Sequence, residues 1–133
     1  MKNLLKISGL VGVLLFVLTG CGAAAVYNVQ NNQVTVKESA SSNDVYTAIK
    51  RAGVSLGWIV TKVKDGEAKA TINLRTHRAI VRIDYTKTSY SINYENSINL
   101  KYDATKNTIH NNYNGWVQNL ERAIDVQLSM FAE

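Results

Sequence analysis

Residues Ala68 to Glu95 read AKATINLRTHRAIVRIDYTKTSYSINYE. Three runs within this stretch alternate with a period of two. Ala68, Ala70, Ile72 and Leu74 fall on one side, and Lys69, Thr71, Asn73 and Arg75 on the other. Ala79, Val81, Ile83 and Tyr85 oppose Ile80, Arg82 and Asp84. Tyr90, Ile92 and Tyr94 oppose Ser91, Asn93 and Glu95. Successive side chains of a strand point to opposite faces, so the pattern predicts an antiparallel sheet with one buried and one solvated face. Just upstream, WIVTKV runs into KDGE, where Asp65-Gly66 is a strong hairpin signal. Leu100 and Tyr102 are candidates to extend the last strand, and QVTVKE, with Val34 and Val36 alternating, reads as a further short strand near the start.

Two helical stripes flank these strands. Ser41-x-x-Asp44 has the form of a capping box, and Val45, Ala48, Ile49, Ala52 and Leu56 follow at helical spacing. Gly53 weakens the last turn and Gly57 stops the helix. After the polar loop DATKNT, a second helix is expected from Ile109 or Asn111 to Met130, with Tyr113, Trp116, Val117, Leu120, Ile124, Leu128 and Phe131 as its apolar stripe. One-sided strands and one-sided helices predict an α+β two-layer sandwich: an antiparallel sheet of about four or five strands with two helices on one face. More than a dozen large apolar side chains are available, each stabilising by about 1.5–3 kcal/mol when buried, so the fold needs neither metal nor disulfide.

The 133 residues suffice for one such domain. The formal net charge is +5, but Lys2 and Lys6 supply two of those charges, and the remaining basic residues are scattered from Lys37 to Arg122. Dispersed, mild charge is unlike the concentrated patch of a nucleic-acid binder, so no nucleic-acid partner is expected.

The N-terminus decides the address. MKNLLKISGLVGVLLFVLTGC has the layout of a signal sequence: Lys2 and Lys6 before an apolar run from Leu10 to Leu18, then the small residues Thr19 and Gly20. A lone cysteine in an exported chain calls for an intermolecular bridge, a reactive thiol or a modification. Leu18-Thr19-Gly20-Cys21 resembles the lipobox of bacterial prolipoproteins. The resemblance implies diacylglyceryl transfer to the Cys21 thiol and cleavage between Gly20 and Cys21. Two acyl chains, at roughly 0.8 kcal/mol per buried methylene, hold a soluble domain on a membrane where one does so only marginally. The other reading is an uncleaved helix, because Ile7 to Val26 is twenty residues without a charge. Either way Lys2 and Lys6 stay inside and the remainder is exported. The expected organisation is a signal peptide over 1–20, a lipidated N-terminus, spacer and first short strand over 21–42, and a small α+β domain over 43–133. Gly22 is not the aspartate that favours inner-membrane retention in enteric lipoproteins, so the resemblance favours the outer membrane.

AGVSLGW, RTHRAIVRIDY, YSINYENSINLKY and IHNNYNGWVQNLERAI, spanning roughly residues 48 to 124, resemble a group of short proteobacterial lipoproteins of unassigned function. The resemblance implies a periplasm-facing lipoprotein and carries no catalytic residues. The order of elements is also similar to the helix-grip modules of an outer-membrane assembly lipoprotein, a likeness of fold alone.

Candidate chemistry is sparse. Arg75, His77 and Arg78 in RTHRA mark a strand-to-strand turn suited to a phosphate, a carboxylate or a lipid headgroup. The plainer expectation is a solvated turn whose arginines pair with Asp84 or Glu95. His77 and His110 are too few for a metal site, which needs three or four ligands, and His110 is expected to cap or pack at the start of the last helix. The tyrosines and tryptophans are expected mainly in the core, with hydroxyls reaching the rim. No G-x-S-x-G, H-E-x-x-H, Walker A or C-x-x-C motif occurs. The expectation is therefore a membrane-anchored, non-catalytic binding or structural module of the cell envelope, with no cofactor, contacting an envelope protein or the cell wall. The alternative is a small ligand-binding or hydrolytic periplasmic domain using the Arg75–His77–Arg78 turn.

Overall fold

The structure, a computed structural model, describes residues 22–132. The signal-peptide and lipobox readings, Leu18 to Cys21 included, lie outside the described residues. The elements in chain order are β1 (Ala23–Ala25), β2 (Val29–Gln33), α1 (Ser42–Ser55), β3 (Ile59–Lys64), β4 (Glu67–Leu74), β5 (His77–Tyr85), β6 (Ser89–Ile98), β7 (Thr108–His110) and α2 (Asn111–Ser129). The main sheet has five antiparallel strands in the order β2-β6-β5-β4-β3, and β1 pairs with β7 in a separate two-stranded ladder. The helices cover the inward face of the main sheet, as the α+β sandwich expectation requires.

The period-two pattern sets which face is covered. Ala68, Ala70, Ile72, Ala79, Val81, Ile83, Tyr85, Tyr90 and Ile92 are all buried in one cluster with Val45, Ala48, Ile49 and Ala52 of α1 and Tyr113, Val117, Leu120, Ile124 and Leu128 of α2. Trp116 and Phe131 are only partly buried, and Leu56, expected in the first stripe, is the C-cap residue and is exposed. The phase is interrupted in β6, where pairing to β5 jumps from Ile80↔Asn96 to Val81↔Tyr94 and leaves Glu95 as the extra residue of a bulge. Past the bulge, Ser97 faces inward and bonds Tyr94 Oη at 2.7 Å, while Ile98 is turned to solvent. Leu100 and Tyr102 lie beyond the end of β6: Leu100 is buried, and Tyr102 stacks on Tyr94 with ring centroids 4.1 Å apart.

The first strand differs from its expected position. Pairing with β6 covers Val29 to Gln33, and Gln33 opposite Ser89 is the last pair because β6 begins there. Val34 and Val36 follow as non-strand chain, yet still pack on the core, Val34 being held by a bond from its N–H to the Thr88 carbonyl. The small-residue stretch read as a spacer carries β1, which lies antiparallel to β7 with Ala24 opposite Ile109.

Both helix ends follow from sequence chemistry. Ser41 and Asp44 form a reciprocal capping box at the start of α1. At its other end the Trp58 N–H reaches the Gly53 carbonyl and the Gly57 N–H reaches the Val54 carbonyl, with Gly57 at φ +86. This is a Schellman close, and it needs the left-handed residue that glycine supplies. Gly53 has a different role: a Cβ there would overlap Val60 Cγ2 and touch Trp58 Cβ at 3.4 Å. The absent side chain is what lets α1 lie against β3.

Gly53→Ala is therefore expected to destabilise by about 1–3 kcal/mol through overpacking, although alanine is the better helix former. Chemical denaturation of Gly53→Ala in the parent and in a Val60→Ala background checks the cause. The penalty should shrink when Val60 is trimmed, and an equal penalty in both backgrounds refutes the contact.

Candidate functional site

Leu74 pairs with His77, so Arg75 and Thr76 form a two-residue hairpin turn. Arg75 adopts φ +55 there, the sign that the tight twisted hairpins require and that glycine or asparagine normally provides. The turn is tied to the segment after β6. Asn99 Nδ2 donates to Thr76 Oγ1 at 2.8 Å, and the Asn99 carbonyl lies 2.6 Å from His77 Nδ1. A carbonyl only accepts, so Nδ1 carries the hydrogen, and in the neutral ring Nε2 is left as an acceptor.

His110 has the opposite assignment. It is the N-cap residue of α2, and its Nδ1 accepts from the Asn112 N–H at 3.2 Å, so that nitrogen is bare. This matches the capping role expected of it. The next helical donor, the Asn111 N–H, bonds the Gly22 carbonyl at 2.7 Å. Gly22 also lies against the His110 ring, whose Cδ2 would be 3.6 Å from a Cβ on that glycine. The His77 ring is 6.5 Å from that of His110 and 6.4 Å from that of Trp116, centroid to centroid.

Leu74, Arg75, His77, Asn112 and Trp116 enclose a cavity of about 230 Å³. A smaller hollow of about 100 Å³ continues from it past Leu74 and Trp116 toward Leu56, Trp58, Ile72 and Asn119. Of the three residues singled out in RTHRA, Arg75 and His77 are brought together here and Arg78 is not. Neighbours in a strand face opposite ways, so Arg78 lies on the outer face of the sheet, where its Nε donates to Asn73 Oδ1 at 2.7 Å. The expected pairing of these arginines with Asp84 or Glu95 does not form. Asp84 takes Arg82 at 3.0 Å and Glu95 takes Lys69 at 3.0 Å, and neither Arg75 nor Arg78 has an ion-pair partner among the described residues.

Leu74 and Asn112 are not site candidates from sequence, and Trp116, expected mainly in the core with the other aromatic residues, is only partly buried and lines the cavity. Leu74 keeps the inward phase of β4 but is 41% exposed, because it sits at the end of the strand beside the cavity rather than under a helix. Asn112 and Trp116 are one helical turn apart, a spacing that puts them on one face of α2.

The site joins a guanidinium with no ion-pair partner among the described residues, an imidazole, a side-chain amide and an indole face. That set can hold an anion with an apolar portion. Among the described residues neither imidazole is bonded to a carboxylate or to a hydroxyl. No group of three or more His, Cys, Asp or Glu among the described residues is arranged to hold a metal.

Two other regions compete for attention. A larger concavity, about 570 Å³, runs along the outer face of α1, but every lining residue from Asn43 to Ser55 belongs to that one helix, so it has no opposing wall. A polar cluster joins β2 and β6 to α2: Tyr90 Oη donates to Asp125 Oδ1 at 2.7 Å, Asn32 Nδ2 donates to Tyr90 Oη at 2.8 Å, and Tyr27 Oη donates to Glu121 Oε2 at 2.6 Å. Burial and then the Asp125 bond hold the Tyr90 hydroxyl protonated above the ordinary tyrosine range. These groups satisfy one another and fasten the edge strand to the helix. Tyr113 and Tyr85 depart from the expectation that hydroxyls reach the rim, since both Oη atoms are buried with no hydrogen-bond partner among the described residues.

Comparison of the chain with protein-family models, with curated proteins and with solved structures finds no match.

Burial pushes the Tyr113 hydroxyl above the ordinary range, so it stays protonated in the fold where an unfolded tyrosine ionises near about pH 10. The folded state then binds the extra proton, and its stability is flat below that pH and falls as pH rises above it. Tyr113→Phe keeps the ring and removes an unpartnered hydroxyl, so stability at neutral pH should be unchanged or raised by up to about 1 kcal/mol. Above about pH 10 the variant should lose stability more slowly than the parent, by about 1.4 kcal/mol per pH unit. Denaturant titrations at neutral and alkaline pH check both, and a clear loss at neutral pH means that the hydroxyl has a partner.

Proposed function

We propose that the chain is a lipid-anchored protein of the bacterial cell envelope, exported and held by a diacylated Cys21, whose folded unit is a binding module rather than an enzyme. The observation that carries the reading is the sequence Leu18-Thr19-Gly20-Cys21 at the end of an apolar run that follows two lysines. The fold fits this use in one respect: Gly22, the residue next to that cysteine, is already bonded into α2 through Asn111. Among the described residues no helix is long and apolar enough to cross a membrane, and in this reading the apolar run before Cys21, which lies outside those residues, is removed with the signal peptide. The absence of aspartate at position 22 favours the outer membrane, and the binding partner is an envelope protein or the cell wall.

A second reading, a small ligand-binding domain, is favoured by the cavity beside the β4–β5 turn. It uses Arg75 and His77 but not Arg78. The hydrolytic form of that alternative has no support in the bonding of either histidine.

Cys21→Ser is expected to abolish incorporation of a fatty-acid analogue and to leave the uncleaved precursor in the membrane fraction. Metabolic labelling followed by gel migration checks it, and label retained by the serine variant refutes the assignment.

A further inference from the structure

We infer that the cavity formed by Leu74, Arg75, His77, Asn112 and Trp116 takes the anionic headgroup of a phospholipid in the same leaflet that holds the chain's anchor. The inference rests on lipidation at Cys21 and goes beyond it by assigning a ligand to the cavity. Consecutive Cα atoms are about 3.8 Å apart, so a lipid on residue 21 begins one residue from Gly22. Gly22 is bonded to Asn111 and lies against His110, the His110 and His77 rings are 6.5 Å apart, and His77 and Trp116 are 6.4 Å apart within the cavity wall. The root of the anchor and the cavity are thus at one end of the domain, with no flexible linker between them. A bilayer that holds the first meets the second.

The chemistry of that end suits an anionic surface. Arg75 has no ion-pair partner among the described residues, and Lys101, two residues after the Asn99 that bonds His77, is exposed. The Leu100 carbonyl that precedes Lys101 accepts from the His110 N–H at 2.8 Å, which ties that segment to the same helix end. Arg75 and Lys101 are the two basic residues with left-handed backbone, at φ +55 and +53. Guanidinium presents paired donors to phosphate oxygens, and the Asn112 amide adds two more N–H groups. Trp116 and the half-exposed Leu74 supply the amphipathic and apolar contacts that belong at the headgroup boundary. A space of about 230 Å³ accommodates a phosphate with its glycerol and not an acyl chain, so the headgroup is bound while its tails stay in the leaflet.

The test uses the lipidated chain, purified in detergent and reconstituted into vesicles of phosphatidylcholine, alone or mixed with phosphatidylglycerol. Acrylamide quenching of tryptophan fluorescence reports Trp116, because Trp58 is 2% exposed and forms a protected baseline. Quenching should fall in the mixed vesicles. Arg75→Gln should lower the ratio of docked to undocked protein by about fivefold, the effect of one basic side chain at an anionic surface. Lys64→Gln, at the end of β3 and paired with Glu67 at the far end of β4 from Leu74, should leave it unchanged. Equal quenching in the two vesicle types overturns the headgroup assignment. Protection produced by soluble glycerol phosphate in pure phosphatidylcholine vesicles reassigns the cavity to a free phosphate ester and overturns it as well. Fatty-acid content measured on the same sample separates the two levels: an unlabelled chain removes the anchor and this inference with it, whereas a labelled chain with unchanged quenching removes the inference alone.

Discussion

The two layers can close only because the residues between α1 and the sheet are small. Ala48, Ala52 and Gly53 on the helix and Ala68, Ala70 and Ala79 on β4 and β5 are all buried. At Gly53 even a methyl group would collide with Val60. The large side chains are placed around this tight seam: Trp58 after the helix stop, Tyr90 toward α2, and Tyr113 near the start of α2. Interiors pack near crystal density, so the seam fixes where the larger groups have room. Tyr113 has gained complete burial of its ring at the expense of a hydroxyl that bonds nothing among the described residues.

Alternation in β4 and β5 was legible because each residue there obeys a single rule, inward or outward, over eight or nine positions. The helix stripes, the Ser41 cap and the Asp65-Gly66 turn were legible for the same reason: each is a local preference that tertiary packing did not override. The bulge at Glu95 was not, since nothing in SINYENSI announces an unpaired residue, and it shifted Ile98 to the outer face. The position of β2 was also hidden. It depends on where β6 ends, a non-local fact, and the visible alternation of Val34 and Val36 pointed a few residues too far downstream. The strand formed by Ala23–Ala25 carries almost no local signal, because three alanines pair there only on account of the partner that β7 offers.

The cavity shows the same division between local and long-range information. His77 and Arg78 are adjacent in sequence and were read as one cluster, yet the strand sends them to opposite faces. Arg75 shares the cavity with His77 because the turn between them brings the chain back on itself. Asn112 and Trp116 arrive from a helix more than thirty residues further on. The anion-binding chemistry was thus visible in residue type, while the walls that make it a cavity came from the docking of α2 against the end of the sheet.

The bond from Asn111 to Gly22 and the three-residue ladder between β1 and β7 also have a mechanical side. A pull on residue 21 loads these contacts before any core residue, since Val29 is the first buried side chain in the described chain. Peeling Gly22 to Asn28 away would expose no large apolar surface beyond Val26 and Tyr27, and would release seven residues of slack. At about 3.3–3.6 Å per extended residue, that is a reach of roughly 25 Å. The same fold can therefore ride flush on its support or stand off on a leash, at the cost of the β1–β7 ladder and of the bonds that Val26, Tyr27 and Asn28 make to Asn107, Asn114, Glu121 and Tyr94.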